Sequence, residues 1–243
     1  SIDGATAATH DAIRRVPGCF DRTLRAAAAA RQVSMPFQVN TLVSAETIDE
    51  LPAIEALARA LGAARWSLFF LVTVGRGSVL RPISAARTET LLQWLADRAR
   101  EPGMILTTTE APHFRRVVSE RRALRKDARA DAGHPAGHGH LAGIRDGNGI
   151  LFIGHDGDVT PSGFLPIVAG NVRDADPIAI YRNSSMFLAL RDVDGFGGRC
   201  GRCEYRHTCG GSRARAWAAT GDWLAEDPLC VHEPRAEAEA RRA

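Results

Sequence analysis

Apolar positions along the first half of the chain recur with two alternating periods. Ile48, Leu51, Ile54, Leu57 and Leu61 fall at helical spacing. Thr47 and Glu50 at their start match a capping box, and Gly62 after them is a stop signal. Pro52 sits deep for a first turn, which blurs the start by a few residues. An earlier helix is predicted over residues 20–32, an alanine run with Leu24 and several arginines. After Pro36, residues 37–43 read as a strand. Trp66 to Val72 is apolar over most of its length, as a strand buried on both faces of a parallel sheet would be, and Phe69, Phe70 and Trp94 read as core. Ser84 is placed to cap a further helix that turns Leu91, Leu92 and Leu95 inward. Strand and helix in this order predict right-handed βαβ units. In barrels built from such units the chemistry sits at the C-terminal ends of strands. That directs attention to Ser1-Ile2-Asp3-Gly4, Asn40-Thr41 and Val74-Gly75-Arg76.

The pattern then changes. Residues 119–147 open with Arg121, Arg122, Arg125 and Lys126 and continue into a glycine- and proline-rich run holding His134, His138 and His140. Glycine and proline do not hold ligands in fixed geometry, so the stretch reads as a solvated connector rather than a metal tract. From residue 149 on, Ile150 to His155 and Asp158 to Thr160 flank Asp156-Gly157, a hairpin signal. Ile178 to Leu190 reads as one helix.

Composition narrows the function. The 243 residues suffice for one large domain or two modest ones. The formal net charge of +3, with arginines scattered rather than striped, argues against a nucleic-acid partner. No apolar run reaches the roughly 18–20 residues of a membrane span. No signal peptide is visible, and the chain opens at Ser1 in what reads as the end of a strand, so further N-terminal sequence is expected. Of five cysteines, Cys19 stands alone and reads as an apolar filler or exposed thiol. The other four lie within 31 residues. One tight cluster without a secretion signal points to a metal site in a reducing cytoplasm rather than to disulfides.

Cys200, Cys203 and Cys209 have C-x2-C-x5-C spacing, and twenty residues separate Cys209 from Cys230. Four thiolates are the usual complement of a [4Fe–4S] cluster, and Gly201, Gly210 and Gly211 allow the backbone to approach it closely. Zinc stays open: structural zinc ribbons pair two C-x2-C knuckles, whereas one is present here, but His207 offers a substitute ligand. Buried, unligated thiols are the third reading. Asp222, Glu226 and Asp227 near the last cysteine read as caps or a solvated face.

The spacing resembles the auxiliary-cluster domain of radical S-adenosylmethionine (SAM) enzymes of the SPASM/twitch kind. The likeness extends from Gly170-Asn171-Val172-Arg173, through Ile180-Tyr181-Arg182, Phe187 and Leu190-Arg191-Asp192, to the whole of residues 200–230. Ser1-Ile2-Asp3-Gly4 with His10-Asp11 and Arg14, Gln38 to Thr41, and Phe69 to Gly77 are similar to the fourth, fifth and sixth barrel strands of these enzymes. Residues 109–116 and 161–166 look like the haem-decarboxylating and peptide-maturing members. The resemblance implies an α/β chain: residues 1–118 the C-terminal part of a partial (β/α) radical SAM barrel, 119–147 a linker, 148–235 a small α+β SPASM/twitch domain and 236–243 a tail. It implies Cys200, Cys203, Cys209 and Cys230 as ligands of one auxiliary [4Fe–4S] cluster. Ser1 and Asp3 would lie near SAM, Asn40 at the fifth strand's end, Val74 near the adenine, and Arg22 near the SAM carboxylate; no catalytic side chain is assigned. It further implies a small-molecule, tetrapyrrole or peptide substrate, hydrogen abstraction, and an electron donor such as flavodoxin or ferredoxin.

Two departures qualify this. The C-x3-C-x2-C motif of the SAM-cleaving cluster is absent from the chain, which is expected to be inactive alone. Ser162 and Arg213 stand where a second auxiliary cluster would need cysteines. The competing class is a non-catalytic iron–sulfur or zinc module that docks a partner.

Overall fold

The computed structural model describes residues 1–124 and 144–235, so the three histidines of the connector lie outside the described residues. The chain forms two compact units, Ser1–Thr109 and Glu110–Ala243; the division falls before residue 118.

In the first unit, strands β1 (Gln38–Val43), β2 (Arg65–Phe70) and β3 (Ile105–Thr109) form a parallel sheet in the order β1-β2-β3. Gln38 pairs with Arg65 and Trp66 with Leu106. Helices α1 (Ala7–Arg14) and α2 (Cys19–Gln32) precede the sheet, and α3 (Leu51–Ala60) and α4 (Ala85–Arg98) connect its strands. These are the βαβ units that the alternating periods predict. Leu51, Ile54 and Ala58 of α3, Leu92 and Leu95 of α4, and Trp66 and Leu68 of β2 are completely buried. Ser84 caps α4 as expected, accepting from the Arg87 amide. The capping box at α3 does not form. The Thr47 hydroxyl accepts from the Ser44 amide and donates to the Leu42 carbonyl, because Pro52 displaces the start into a 3-10 turn at Ile48–Glu50. Glu50 instead reaches back to the Ala5 amide and the Thr9 hydroxyl, fastening the start of α1.

One charge is buried in this unit with its partners. Glu55 on α3 is 2% exposed and meets Arg59 at 2.9 Å and Arg98 at 2.8 Å. Two guanidiniums satisfy the carboxylate, which is how a buried acid is retained.

The second unit begins with α5 (Phe114–Leu124) and a small antiparallel sheet of β4 (Phe152–Ile153), β5 (Asp158–Thr160) and β6 (Gly170–Asn171). Residues 119–124, expected as connector, are the last turns of α5. Burial of Phe114 and Val117 anchors that helix, and Arg115 donates to the carbonyls of Ile144 and Thr208. The hairpin at Asp156-Gly157 forms as expected, with Phe152 opposite Thr160. The single helix expected over 178–190 is two helices, α6 (Pro177–Asn183) and α7 (Ser185–Arg191). Ser184 between them is extended, at φ −62° and ψ 132°. Apolar spacing continues across the break, and short polar residues there favour non-helical backbone. Val159, Ile180 and Phe187 form the core of this part. Helices α8 (Gly198–Arg202) and α9 (Arg213–Thr220) complete the unit.

Leu92→Ala removes a completely buried side chain from the first unit. We expect a loss of about 2–5 kcal/mol in urea denaturation; a loss below about 1 kcal/mol would mean that α4 is not packed as described.

A candidate metal centre at the four cysteines

Cys200 lies within α8 and Cys203 is that helix's C-cap, in extended conformation. The chain then turns through Cys209 to Gly210 and Gly211, both left-handed at φ 69° and 66°. Only glycine fits at 211. A Cβ there would lie 2.5 Å from Arg213 Nη2 and 3.1 Å from the Cys200 sulfur. Ser212 caps α9, Gly221 ends it in left-handed conformation, and the chain returns to Cys230. All four sulfurs line one cavity.

Backbone amides face the sulfurs. The Asp227 N–H donates to Cys200 Sγ at 3.4 Å and the Tyr205 N–H to Cys203 Sγ at 3.4 Å. The Gly211 amide serves Cys209, and the His232 amide serves Cys230. Burial pushes the Cys209 thiol up to about 12 and Cys230 to about 11. Burial also raises Cys203. Thiolates here therefore need a cationic centre among them. Among the described residues, no three of the four sulfurs belong to a set mutually within 4.8 Å. A single zinc at about 2.3 Å from each thiolate would draw its sulfurs to roughly 3.8 Å apart. The donor set fits an iron–sulfur cluster better. A closer triad exists at Cys203, Glu204 and His232, and a His232–Glu204 contact of 3.2 Å accounts for its proximity.

Behind the sulfurs lies a polar network that patterning does not reveal. Asp227, read as a cap or solvated face, is 0% exposed. It accepts from the amides of Ser212 (2.8 Å) and Leu229 (3.0 Å) and from Arg215 Nη1 (3.0 Å). Burial alone would raise its carboxyl, but Arg215, His113 and these amides outweigh burial and hold it at about 2. Glu110 has the opposite balance. Burial and the nearby Asp146 charge push it up to about 8, against the Ser212 hydroxyl and Arg215. Its side chain bonds Ser212 Oγ and its carbonyl accepts from Arg215. Asp146 receives the Ala214 amide at 2.9 Å. The hint in the sequence was the acid three residues before the last cysteine, but burial is a tertiary property.

The other expected site residues lie in the first unit. Ser1 is exposed. Ser1 to Asp3 form no strand of the sheet, although Ile2 donates to the Asn40 carbonyl at 2.8 Å. Asp3 is buried and already engaged, by Arg14 Nε at 2.6 Å and the Leu42 amide at 2.7 Å. Asn40 is the third residue of β1 rather than its end, because the strand runs on to Val43, and it accepts from Gln38. Val74 stands beyond the end of β2, before a 3-10 turn at Gly75–Val79. Arg22 is exposed and bonds the Pro17 carbonyl. The structure thus brings Ile2 and Asp3 against β1, at Asn40 and Leu42. Cys19 is half-buried against Asp11, at 3.1 Å.

The arrangement is that of a mixed α/β protein with a cysteine-lined cavity in its second unit. SuiB of Streptococcus suis, solved bound to S-adenosylmethionine, shares the fold: TM-score 0.62 at 13% identity, over 95% of this chain and 53% of that one. No family model matches the chain. Among curated proteins it is 40% identical over 235 residues to the AdoMet-dependent heme synthase of Methanosarcina barkeri, covering 96% of this chain and 67% of the relative. It is 38% identical over 237 residues to the AdoMet-dependent heme synthase of Nitratidesulfovibrio vulgaris, covering 97% of this chain and 64% of the relative. The chain belongs to the radical SAM/SPASM family.

Glu110 provides a pH test. Its native value of about 8 lies above the unfolded value of about 4.3, so the fold favours the protonated form. That contribution is complete below about pH 4 and is lost as pH rises through 8. Wild type should therefore lose stability relative to Glu110→Gln between pH 4.5 and 8, by up to a few kcal/mol. Parallel urea titrations that keep the same gap at every pH would contradict it.

Proposed function

We propose that the chain is the part of a radical SAM enzyme that follows its SAM-cleaving motif, and that Cys200, Cys203, Cys209 and Cys230 hold one auxiliary [4Fe–4S] cluster. The observation that carries this is the four sulfurs lining one cavity, each faced by a backbone N–H. Such N–H···S contacts stabilise cluster thiolates and set cluster potentials. One cluster suits two further positions. The Ser162 hydroxyl caps its own turn, accepting from the amides of Phe164 and Leu165, and Arg213 is buried among backbone carbonyls.

In this reading the first unit is the closing part of a (β/α) barrel and the second a SPASM/twitch domain. The support is three parallel strands in sequential order with intervening helices. Ser1, Asn40 and Val74 border the SAM site. Asp3, fixed by Arg14 and Leu42, shapes that border, and Arg22 serves the SAM carboxylate. Bound there, SAM with its cleaving cluster would supply radical hydrogen-abstraction chemistry. Similarity to two AdoMet-dependent heme synthases favours a tetrapyrrole substrate over a peptide. Electrons come from a flavodoxin- or ferredoxin-class donor in the cytoplasm. Among the described residues no helix is long and apolar enough to cross a membrane.

Anaerobic reconstitution should give about four iron atoms per chain and a broad band near 400 nm that dithionite bleaches. Cys209→Ser should lose most of both. Stoichiometric zinc without colour would establish the zinc module instead, and about eight irons would require a second cluster. With no C-x3-C-x2-C run in these 243 residues, the reconstituted chain should form no 5′-deoxyadenosine from SAM.

A further inference from the structure

Arg213 is the largest charged side chain that is fully buried among the described residues, at 0% exposure. No carboxylate among the described residues pairs with it. Its Nη1 donates to the carbonyls of Ala225 (2.7 Å) and Trp223 (3.2 Å), and its Nε to Gly211 (3.4 Å). Its guanidinium lies 4.5 Å from the centre of the Phe196 ring. The remaining nitrogen, Nη2, points at Cys200 Sγ, 3.6 Å away. A second buried guanidinium, Arg145, lies 5.2 Å from the same ring.

Carbonyl dipoles and an aromatic face hold a cation but do not neutralise it, and an uncompensated buried charge is costly. The nearest group able to carry negative charge is the sulfur at the end of Nη2. A neutral hydrogen-bond donor would tie the loops together as well; a full positive charge matters only if something beside it becomes negative. A [4Fe–4S] cluster with four thiolates carries two negative charges when oxidised and three when reduced. A fixed cation with an N–H on a ligand sulfur favours the reduced form, since both the charge and the hydrogen bond strengthen as the extra electron arrives.

We propose that Arg213 is a positioning residue for the cluster, raising its reduction potential through the charge and N–H that it places on the Cys200 sulfur. The inference rests on the cluster reading above and deepens it. The step is the addition of one electron from a low-potential reductant to the oxidised cluster, with no bond made or broken at Arg213.

The test is a dithionite titration of the anaerobically reconstituted chain, read by visible absorption and electron paramagnetic resonance, with iron content and thermal melting measured on each sample. Arg213→Met keeps a flexible, unbranched stem and removes the charge. It should weaken reduction about tenfold or more, which at one electron is about 59 mV per tenfold. Arg213→Lys keeps the charge while losing the fork that bonds the carbonyls, and should stay within about threefold of wild type. A methionine variant that holds wild-type iron at an unchanged potential overturns the inference and leaves the cluster intact. If that variant does not fold, the lysine variant decides: a potential near wild type with a lowered melting temperature supports the charge, and a tenfold fall overturns it. Wild type that takes up no iron sinks the cluster reading itself, a different failure.

Discussion

Closing the twenty residues between Cys209 and Cys230 is the constraint on which the second unit depends. A loop of that length gains conformational entropy when open, and four thiols crowded into one cavity do not attract one another. Two adjacent acids oppose both tendencies. Glu226 bonds the Arg199 amide at 2.8 Å and its guanidinium at 2.9 Å, fastening the start of α8 to the returning loop. Asp227 binds Ser212 and Arg215 on one side and presents its own amide to Cys200 on the other. First and last ligands are thus brought to one place by carboxylates that lie outside the ligand set, so the pocket has a shape set by protein–protein contacts.

Glu110 and Asp227 show how local balance sorts two acids of one network. Both lie near Arg215, Asp227 fully buried and Glu110 half-buried, yet Asp227 is held ionised and Glu110 is pushed toward neutrality. Asp227 receives two backbone N–H groups and a guanidinium. Glu110 meets one hydroxyl, and its arginine contact falls on the carbonyl. With Glu110 protonated, the Arg215 guanidinium is left to pair with Asp227.

The parts of this architecture that are legible in sequence are those set by short-range periodicity. Leu51, Ile54, Leu92 and Leu95 announce their helices because a 3.6-residue stripe must face a core, and the structure buries all four. Trp66 to Phe70 announces a two-sided strand by the same logic. The cysteines declare themselves by spacing. What is illegible is decided by single competing contacts. Thr47 has every local reason to cap α3 but finds Ser44 and Leu42 instead. The break at Ser184 leaves the apolar pattern of α6 and α7 undisturbed. Asp227 is an ordinary acid near a turn until partners twelve and more residues away, out to His113, bury it. Asn40 shows the same limit in a strand, since where β1 stops depends on pairing with β2 and not on its own residues.

Arg213 joins these two kinds of information. Its place in the sequence, four residues past Cys209, marks it as a residue standing where a further thiol could stand. Only the fold shows what the exchange does. A cysteine there would add negative charge to a pocket already holding four sulfurs; arginine adds positive charge and reaches one of them. The same three carbonyls and aromatic ring that make the guanidinium a structural tie also deny it water and mobility, which keeps its field on Cys200 undiluted. Structural anchoring and electrostatic action are therefore not rival accounts of Arg213. Burial links the two, since a position closed to water leaves a charge there unscreened from the sulfur that it faces.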